Sequence, residues 1–174
     1  MKRIITGLAL AGLSLGLAHA APAPQSVEES VNVAAPPARV WAIVQNFNDM
    51  SWVPPIKATT ATRGNEPGST RTLDLGGPQL VEVLDAYNAA GRSYSYRITD
   101  LAANKKVLPV SDYRSTIRVT EAPGGATVTW RGDFLRADTA DQPAAGMGDQ
   151  DAVTAVRGVY RAGLENVAKR AAAQ

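Results

Sequence analysis

The sequence predicts a single α+β domain: a seven-stranded, curved antiparallel sheet wrapped around one long C-terminal helix, with two short helices after strand one. Two observations lead to this fold class. Short alternating segments separated by turn residues fill the middle of the chain, and a helical apolar stripe runs through residues 149–172. A long amphipathic helix has to bury its stripe, and the concave face of the sheet is the large partner available. Such an arrangement is expected to leave a cavity between helix and sheet.

The first twenty residues have the pattern of a secretory signal peptide. Lys2 and Arg3 precede an uncharged apolar run from Ile4 to Leu17, and Ala18-His19-Ala20 forms a small-x-small cleavage site. The apolar run is too short to span a bilayer comfortably. We therefore expect a signal peptide over residues 1–20 and one mature domain over residues 21–174. That domain is expected to be periplasmic or secreted, with no membrane span.

Cleavage would change the chemistry available to the chain. The full sequence has 18 Lys plus Arg, 16 Asp plus Glu, one His and no Cys. Removing Lys2, Arg3 and His19 balances the charges and leaves no histidine. Balanced charge does not predict nucleic-acid binding. Without His or Cys we expect no metal site, no cofactor, no disulfide, and no catalysis by a Ser-His-Asp triad or a thiolate.

The individual elements follow from apolar spacing and from turn residues. Val27, Val31 and Val33 share one face of a first strand, and Pro36-Pro37 suits the first turn of a short helix. A second short helical piece is expected over Asn48–Trp52, before Val53-Pro54-Pro55. The later strands are predicted over Ile56–Arg63, Ser69–Leu75, Gln79–Tyr87, Ser93–Thr99, Val110–Glu121 and Ala126–Arg136. A long helix is predicted over Asp149–Ala172, with Val153, Val156, Tyr160, Leu164 and Val167 as its apolar stripe.

Alternation along the strands predicts which side chains face the cavity. In strands five and six the large, mostly apolar set must face the helix: Tyr94, Tyr96 and Ile98, then Tyr113, Ser115, Ile117 and Val119. In strand four, alternation alone does not choose between the Leu80, Glu82, Leu84 face and the Val81, Val83, Asp85 face. In strand seven, hydropathy favours Val128, Trp130 and Phe134 inward.

Several short motifs occur in an order and spacing that run over most of the mature chain. They are Pro36-Pro37-Ala38-Arg39-Val40-Trp41, Trp52-Val53-Pro54, Gly68-Ser69-Thr70-Arg71, Val81–Asp85, Tyr94–Ile98, Leu108-Pro109-Val110, Tyr113–Ile117, Val128–Trp130 and Val159–Leu164. Together they resemble the START/Bet v 1-like (SRPBCC) superfamily of helix-grip proteins, in its polyketide cyclase/dehydrase and lipid transport branch. Size, export signal and general pattern are also similar to the MxaD-type periplasmic accessory proteins of bacterial methanol oxidation.

The resemblance implies specific orientations. In strand four it implies that Gln79, Val81 and Val83 face inward and Glu82 faces outward. In strand seven it implies that Thr129, Arg131 and Asp133 face inward, against hydropathy. We prefer the implied pattern there, because a cavity with a polar patch suits a binding protein.

Lys57 is similar in position to a lysine of the abscisic-acid receptors that meets the ligand carboxylate. A carboxylate ligand would offset the cost of burying an ammonium group in an apolar cavity. The alternative is a lysine at the cavity rim whose ammonium group reaches solvent.

These observations lead us to expect an exported, non-catalytic protein that binds a small amphipathic or lipid-like molecule, which could carry a carboxylate. The expected ligand-binding residues are Lys57, Val81, Val83, Tyr96, Ile98, Tyr113, Ser115, Arg131 and Tyr160. One alternative is a polyketide cyclase/dehydratase-like enzyme, in which Lys57, a tyrosine or an Asp or Glu such as Asp133 would do acid–base work. The other is an accessory protein that assists a periplasmic dehydrogenase, with a periplasmic protein as its partner. No residue is assigned a catalytic role.

Overall fold

The structure, a computed structural model, describes residues 21–99 and 107–173. The expected signal peptide, residues 1–20, lies outside the described residues. The elements in chain order are β1 (Gln25–Val33), α1 (Pro37–Val44), β2 (Ala58–Ala61), β3 (Thr70–Asp74), β4 (Gln79–Asn88), β5 (Ser93–Ile98), β6 (Val110–Ala122), β7 (Gly125–Arg136) and α2 (Asp149–Ala172). The predicted long helix is confirmed over its whole length.

The seven strands form one antiparallel sheet in the order β1-β7-β6-β5-β4-β3-β2. Strands β2 to β7 follow one another as a meander, and β1 pairs with β7 on the far side. The register shifts between Leu84 and Ala86 in β4, and between Ser111 and Arg114 in β6. Such bulges bend a strand, and a bent sheet offers the concave face that the helix needs.

Helix α2 lies on this concave face, and its contacts run mainly to β1, β7 and α1. The buried residues of α2 are Ala152, Val156, Tyr160, Gly163, Leu164, Val167 and Ala171. The helix begins with a capping arrangement in which the Gly148 N–H donates to Asp151 Oδ2 at 3.0 Å. A negatively charged first turn and a positively charged last turn match the helix dipole.

Two glycines allow α2 to lie close to the sheet. A Cβ atom on Gly163 would come 2.9 Å from Trp130 Cζ3 and 3.0 Å from Trp52 Cζ3. A Cβ atom on Gly132 of β7 would collide with the Tyr160 hydroxyl. Each glycine therefore makes room for an aromatic ring from the facing element.

The second short helix expected after strand one is not formed. Residues 46–56 instead make a series of turns, with backbone bonds from Asp49 to Asn46 (2.9 Å) and from Val53 to Met50 (2.9 Å). Asn46 and Asp49 also accept hydrogen bonds through their side chains from the backbone N–H two residues later. Such local bonds compete with a helix, and Pro54-Pro55 prevents one from continuing.

The predicted inward faces of β5 and β6 are confirmed, because Tyr94, Tyr96, Ile98, Tyr113, Ser115, Ile117 and Val119 are all buried. The predicted face of β4 is wrong. Leu80, Glu82 and Leu84 are buried there, whereas Val81 and Val83 are half-buried on the other face and Gln79 is exposed. Burying the two leucines brings Glu82 inward, and a buried arginine compensates its charge.

The predicted face of β7 is also wrong, and hydropathy gives the right one. Val128, Trp130 and Phe134 are buried, while Arg131 and Asp133 are exposed. Arg131 donates to Asp133 at 2.9 Å on the outer face. The large apolar side chains gain more from burial than the charged ones could.

Candidate functional site

A cavity of about 230 Å³ lies between the concave face of the sheet, the turns after α1 and the middle of α2. Its lining consists of Met50, Val53, Pro55, Ile56, Leu73, Leu75, Leu80, Glu82, Tyr96, Ile98, Val107, Leu108, Tyr113, Trp130 and Val159. Glu82 is the single charged residue in this lining. The other groups are aliphatic or aromatic, so the cavity suits a mostly apolar guest.

One side of the cavity reaches the protein surface. Pro55 is exposed, and Ile56, Leu75, Val107 and Val159 are only half-buried. The opposite side is closed by fully buried side chains, among them Tyr96 and Trp130. A guest would therefore enter past Val159 of α2, the turn before β2 and the end of β3.

Glu82 forms a buried ion pair with Arg71, directly across β3 and β4. Arg71 Nε donates to Glu82 Oε2 at 2.6 Å, and Arg71 Nη1 donates to the Phe47 carbonyl oxygen at 3.3 Å. The Arg71 guanidinium also lies over the Phe47 ring at 4.2 Å and over the Tyr96 ring at 4.7 Å. Arg71 thus lies outside the cavity lining, whereas Glu82 belongs to it.

The buried pair stays charged despite the cost of its burial. Burial raises the pKa of Glu82, while the charge of Arg71 and its hydrogen bond oppose that rise. Burial is the largest single effect on the pKa of Arg71 and acts to lower it, but the charge of Glu82, the two neighbouring tyrosines and the hydrogen bond to Glu82 together raise it, so the net direction is upward. Arginine keeps its proton throughout the physiological range. Neutralising Glu82 would leave the buried guanidinium without a counter-charge, so we assign an ion pair.

A hydrogen-bond network of aromatic residues and one serine closes the inner end of the cavity. The hydroxyls of Tyr113 and Tyr160 are 2.5 Å apart, and Ser115 Oγ lies 3.1 Å from the Tyr160 hydroxyl. Trp130 Nε1 donates to Ser115 Oγ at 2.9 Å and to the Tyr96 hydroxyl at 3.1 Å. These bonds satisfy polar groups that burial would otherwise leave unpaired, and they fix the rings of the cavity wall.

The tyrosines near the cavity remain neutral phenols at physiological pH. Burial raises the pKa of Tyr96, Tyr113 and Tyr160 well above the ordinary value. Burial likewise raises the pKa of Tyr94 to about 12. A phenol of this kind is a hydrogen-bonding group and not a ready base.

The structure brings five of the nine expected ligand-binding residues to this region. Tyr96, Ile98 and Tyr113 line the cavity, while Ser115 and Tyr160 belong to the network that supports it. Whether any of the five contacts a ligand stays a prediction.

The other four expected residues lie elsewhere. Lys57 is exposed, outside the cavity, as in the alternative of a rim lysine. Val81, Val83 and Arg131 lie on the outer face of the sheet. These three residues were predicted to face the cavity because the outer faces of β4 and β7 were taken for the inner ones.

Sequence reasoning missed the Arg71–Glu82 pair and the aliphatic lining from β3 and the following turn. A usable signal was present in the short Gly76-Gly77-Pro78 connection. A tight turn there fixes the register of the hairpin, in which Arg71 faces Glu82.

Among the described residues no group of His, Cys, Asp and Glu could hold a metal ion. No helix in the described ranges is long and apolar enough to cross a membrane.

A sheet that holds a helix over a partly apolar cavity defines a ligand-binding helix-grip protein. The chain matches the Polyketide cyclase / dehydrase and lipid transport family over residues 24–172. It therefore belongs to this family, which confirms the superfamily expected from the motifs. Membership implies binding of a small hydrophobic molecule.

Solved structures share the fold. The chain superposes on XoxI from Bacillus cereus with a TM-score of 0.65 and 26% identity, over 87% of this chain and 96% of that one. An uncharacterized protein from Bacillus thuringiensis gives 0.67 and 27%, over 85% and 98% of the two chains. Ara h 8.0201 gives 0.59 and 19%, over 83% and 98%, a likeness that shows the fold alone. Comparison with curated proteins finds no match.

Proposed function

We propose that the protein is a non-catalytic carrier or sensor of a small, mostly apolar molecule, which it holds in the cavity beside α2. The cavity of about 230 Å³, apolar but for one carboxylate, is the observation that carries this proposal. An apolar cavity of about 150 Å³ is enough to bind benzene, and pockets for drug-sized ligands start near 300 Å³. The size therefore favours a compact guest over a lipid with a long acyl chain.

The polar groups of the cavity support a binding role over an enzymatic one. The carboxylate of Glu82 is engaged by Arg71, and the tyrosine hydroxyls bond to other side chains of the wall. A general base needs a pKa near the operating pH, and the charge and hydrogen bond of Arg71 oppose the rise that would bring the pKa of Glu82 there. Groups that are bonded to one another instead orient a guest and exclude water.

We further propose that the protein acts outside the cytoplasm after removal of residues 1–20. The charged start, the apolar run and the Ala18-His19-Ala20 site support this proposal. A periplasmic protein partner, as in an accessory of a dehydrogenase, stays a prediction that purification with associated proteins would test.

Filling the cavity tests the binding role. Val159→Trp places a large ring at the cavity mouth from a half-buried position of α2, so we expect it to abolish retention of the native ligand. The matched control is Thr154→Trp, an exposed position on the same helix outside the cavity lining. Native mass spectrometry of each protein, purified from its own host, measures the bound ligand.

The proposal predicts opposite results for ligand retention by the two variants. A small molecule present with wild type and Thr154→Trp but missing from Val159→Trp supports the proposal. Equal amounts of ligand in all three proteins, or none in wild type, contradict it.

A further inference from the structure

Glu82 supplies the charged hydrogen-bond acceptor of the cavity lining. Its Oε2 accepts from Arg71, while no hydrogen bond among the described residues reaches its Oε1. The buried unsatisfied groups near it are Arg71 Nη2 and the Tyr94 hydroxyl, and neither residue belongs to the cavity lining. A guest therefore meets the carboxylate side of the ion pair, with one acceptor oxygen still open.

The charge balance restricts what can bind there. Arg71 and Glu82 together are neutral and almost fully buried. An anionic guest would bring a second negative charge next to Glu82, and a cationic guest would add a buried charge with no counter-charge of its own. Both are costly in an apolar site. A neutral group that donates a hydrogen bond satisfies the open acceptor without adding charge.

We infer that the ligand is a small neutral molecule that is apolar over most of its surface and donates a hydroxyl hydrogen bond to Glu82. This inference rests on the proposed binding function and names the ligand class for the same cavity. It replaces the carboxylate ligand suggested by Lys57, because that lysine is exposed and lies outside the cavity lining. In proportion to benzene in a cavity of about 150 Å³, the guest has on the order of nine non-hydrogen atoms.

Three probe molecules of similar size test the inference on the wild-type protein. 4-Ethylphenol has the hydroxyl, 4-ethyltoluene has a methyl group in its place, and 4-methylbenzoate has a carboxylate. A hydrogen bond to a charged acceptor should make 4-ethylphenol bind about tenfold more tightly than 4-ethyltoluene. We expect 4-methylbenzoate to bind weakest. Titration followed by NMR at constant pH measures the three dissociation constants.

The outcomes separate the inference from the function on which it rests. Equal affinity for 4-ethylphenol and 4-ethyltoluene overturns the hydroxyl inference but keeps the binding function. Tightest binding of 4-methylbenzoate also overturns the inference. Failure of all three to bind contradicts the proposed function itself.

A double variant assigns the preference to the ion pair. Arg71→Met with Glu82→Leu removes both charges, so 4-ethylphenol should lose its advantage while 4-ethyltoluene still binds. The matched control is Arg131→Met with Asp133→Leu, which removes an exposed pair on the outer face of β7. An unchanged preference in the first variant contradicts the role of Glu82. The wild-type titrations decide the inference even where a variant does not fold.

Discussion

At the scale of single residues, Arg71 and Glu82 illustrate what the sequence conceals. Charged residues are rarely buried unless they are paired, and the family resemblance implied that Glu82 faces outward. Its partner stands eleven positions earlier in the chain, and the pairing becomes visible only through the register of the β3–β4 hairpin. Tyr96, Ile98 and Tyr113 were predictable because their alternation is a local property of one strand.

Single and double substitutions of this ion pair should differ in their effect on the free energy of unfolding. Arg71→Met or Glu82→Leu alone leaves a buried charge without its partner, so each should lower the free energy of unfolding by about 3–5 kcal/mol. The double variant removes both charges and should unfold close to wild type. Urea denaturation of the four proteins measures this coupling. A double variant as unstable as the sum of the two single variants would show that the pair is not coupled.

At the scale of elements, helix α2 was predicted with its correct bounds, because its apolar stripe and its terminal charges are both local features of the sequence. The second short helix was predicted wrongly, because Asn46 and Asp49 bind the backbone locally. A periodic apolar pattern says little about such competition. What the pattern also omits is the close approach of α2 to β7, which depends on residues far apart in the chain.

Two glycines of α2 test that close approach. A Cβ on Gly163 would press against Trp130 and Trp52, so Gly163→Ala should destabilise the protein by about 1–3 kcal/mol. Gly158 lies on the same helix with open space around it, and Gly158→Ala should stabilise by about 0.5–1 kcal/mol through helix propensity. Thermal and urea unfolding provide the comparison. Opposite signs are expected, and a shared sign would refute the packing argument.

Glu29 joins β1 to α2 and should make stability depend on pH. The hydrogen bond from Arg161 lowers the pKa of Glu29 below 4.5, Arg157 contributes in the same direction, and burial opposes both. A lowered folded-state pKa means that the stabilisation is fully present above the unfolded value and is lost as pH falls through the folded value. The side chains of Arg157 and Arg161 are 40% and 61% exposed, so solvent screens the pair and we expect about 1 kcal/mol or less at pH 7.

The comparison of wild type with Glu29→Gln isolates this effect. The difference in free energy of unfolding should be constant from about pH 7 to 5 and should shrink below the ordinary carboxyl pKa. Urea titrations at a series of pH values measure it. A difference that does not change down to strongly acidic pH would mean that the contacts of Glu29 do not depend on its charge.

At the scale of the whole molecule, turn residues and alternation predicted seven strands in their observed order, because both signals are local. The inward faces of β4 and β7 were wrong where resemblance was weighed against side-chain chemistry. In β7, plain hydropathy put Trp130 inward correctly. In β4, the gain from burying Leu80 and Leu84 exceeds the cost of burying the charge of Glu82 next to Arg71. The cavity itself could be expected as a consequence of the fold, but its volume and its carboxylate required coordinates.

The proposed export of the mature domain gives a further prediction. Expression in a two-membrane bacterium should yield a mature protein whose first residue is Ala21, recovered with the periplasmic fraction. N-terminal sequencing and fractionation measure this outcome. Replacing Ala18 and Ala20 by bulky residues should leave the precursor uncleaved. Intact Met1 on protein from the cytoplasmic fraction would contradict export.

The helix is fastened at one flank of the sheet, on β1 and β7, whereas most of the strand residues around the guest come from β3, β4 and β5 at the other flank. Thus β1 and β7 hold helix α2 on the sheet, whereas β3, β4 and β5 supply most of the strand residues that line the cavity. Substitutions among the uncharged lining residues of β3, β4 and β5 are therefore expected to change the preferred guest while the contacts of α2 with β1 and β7 stay in place.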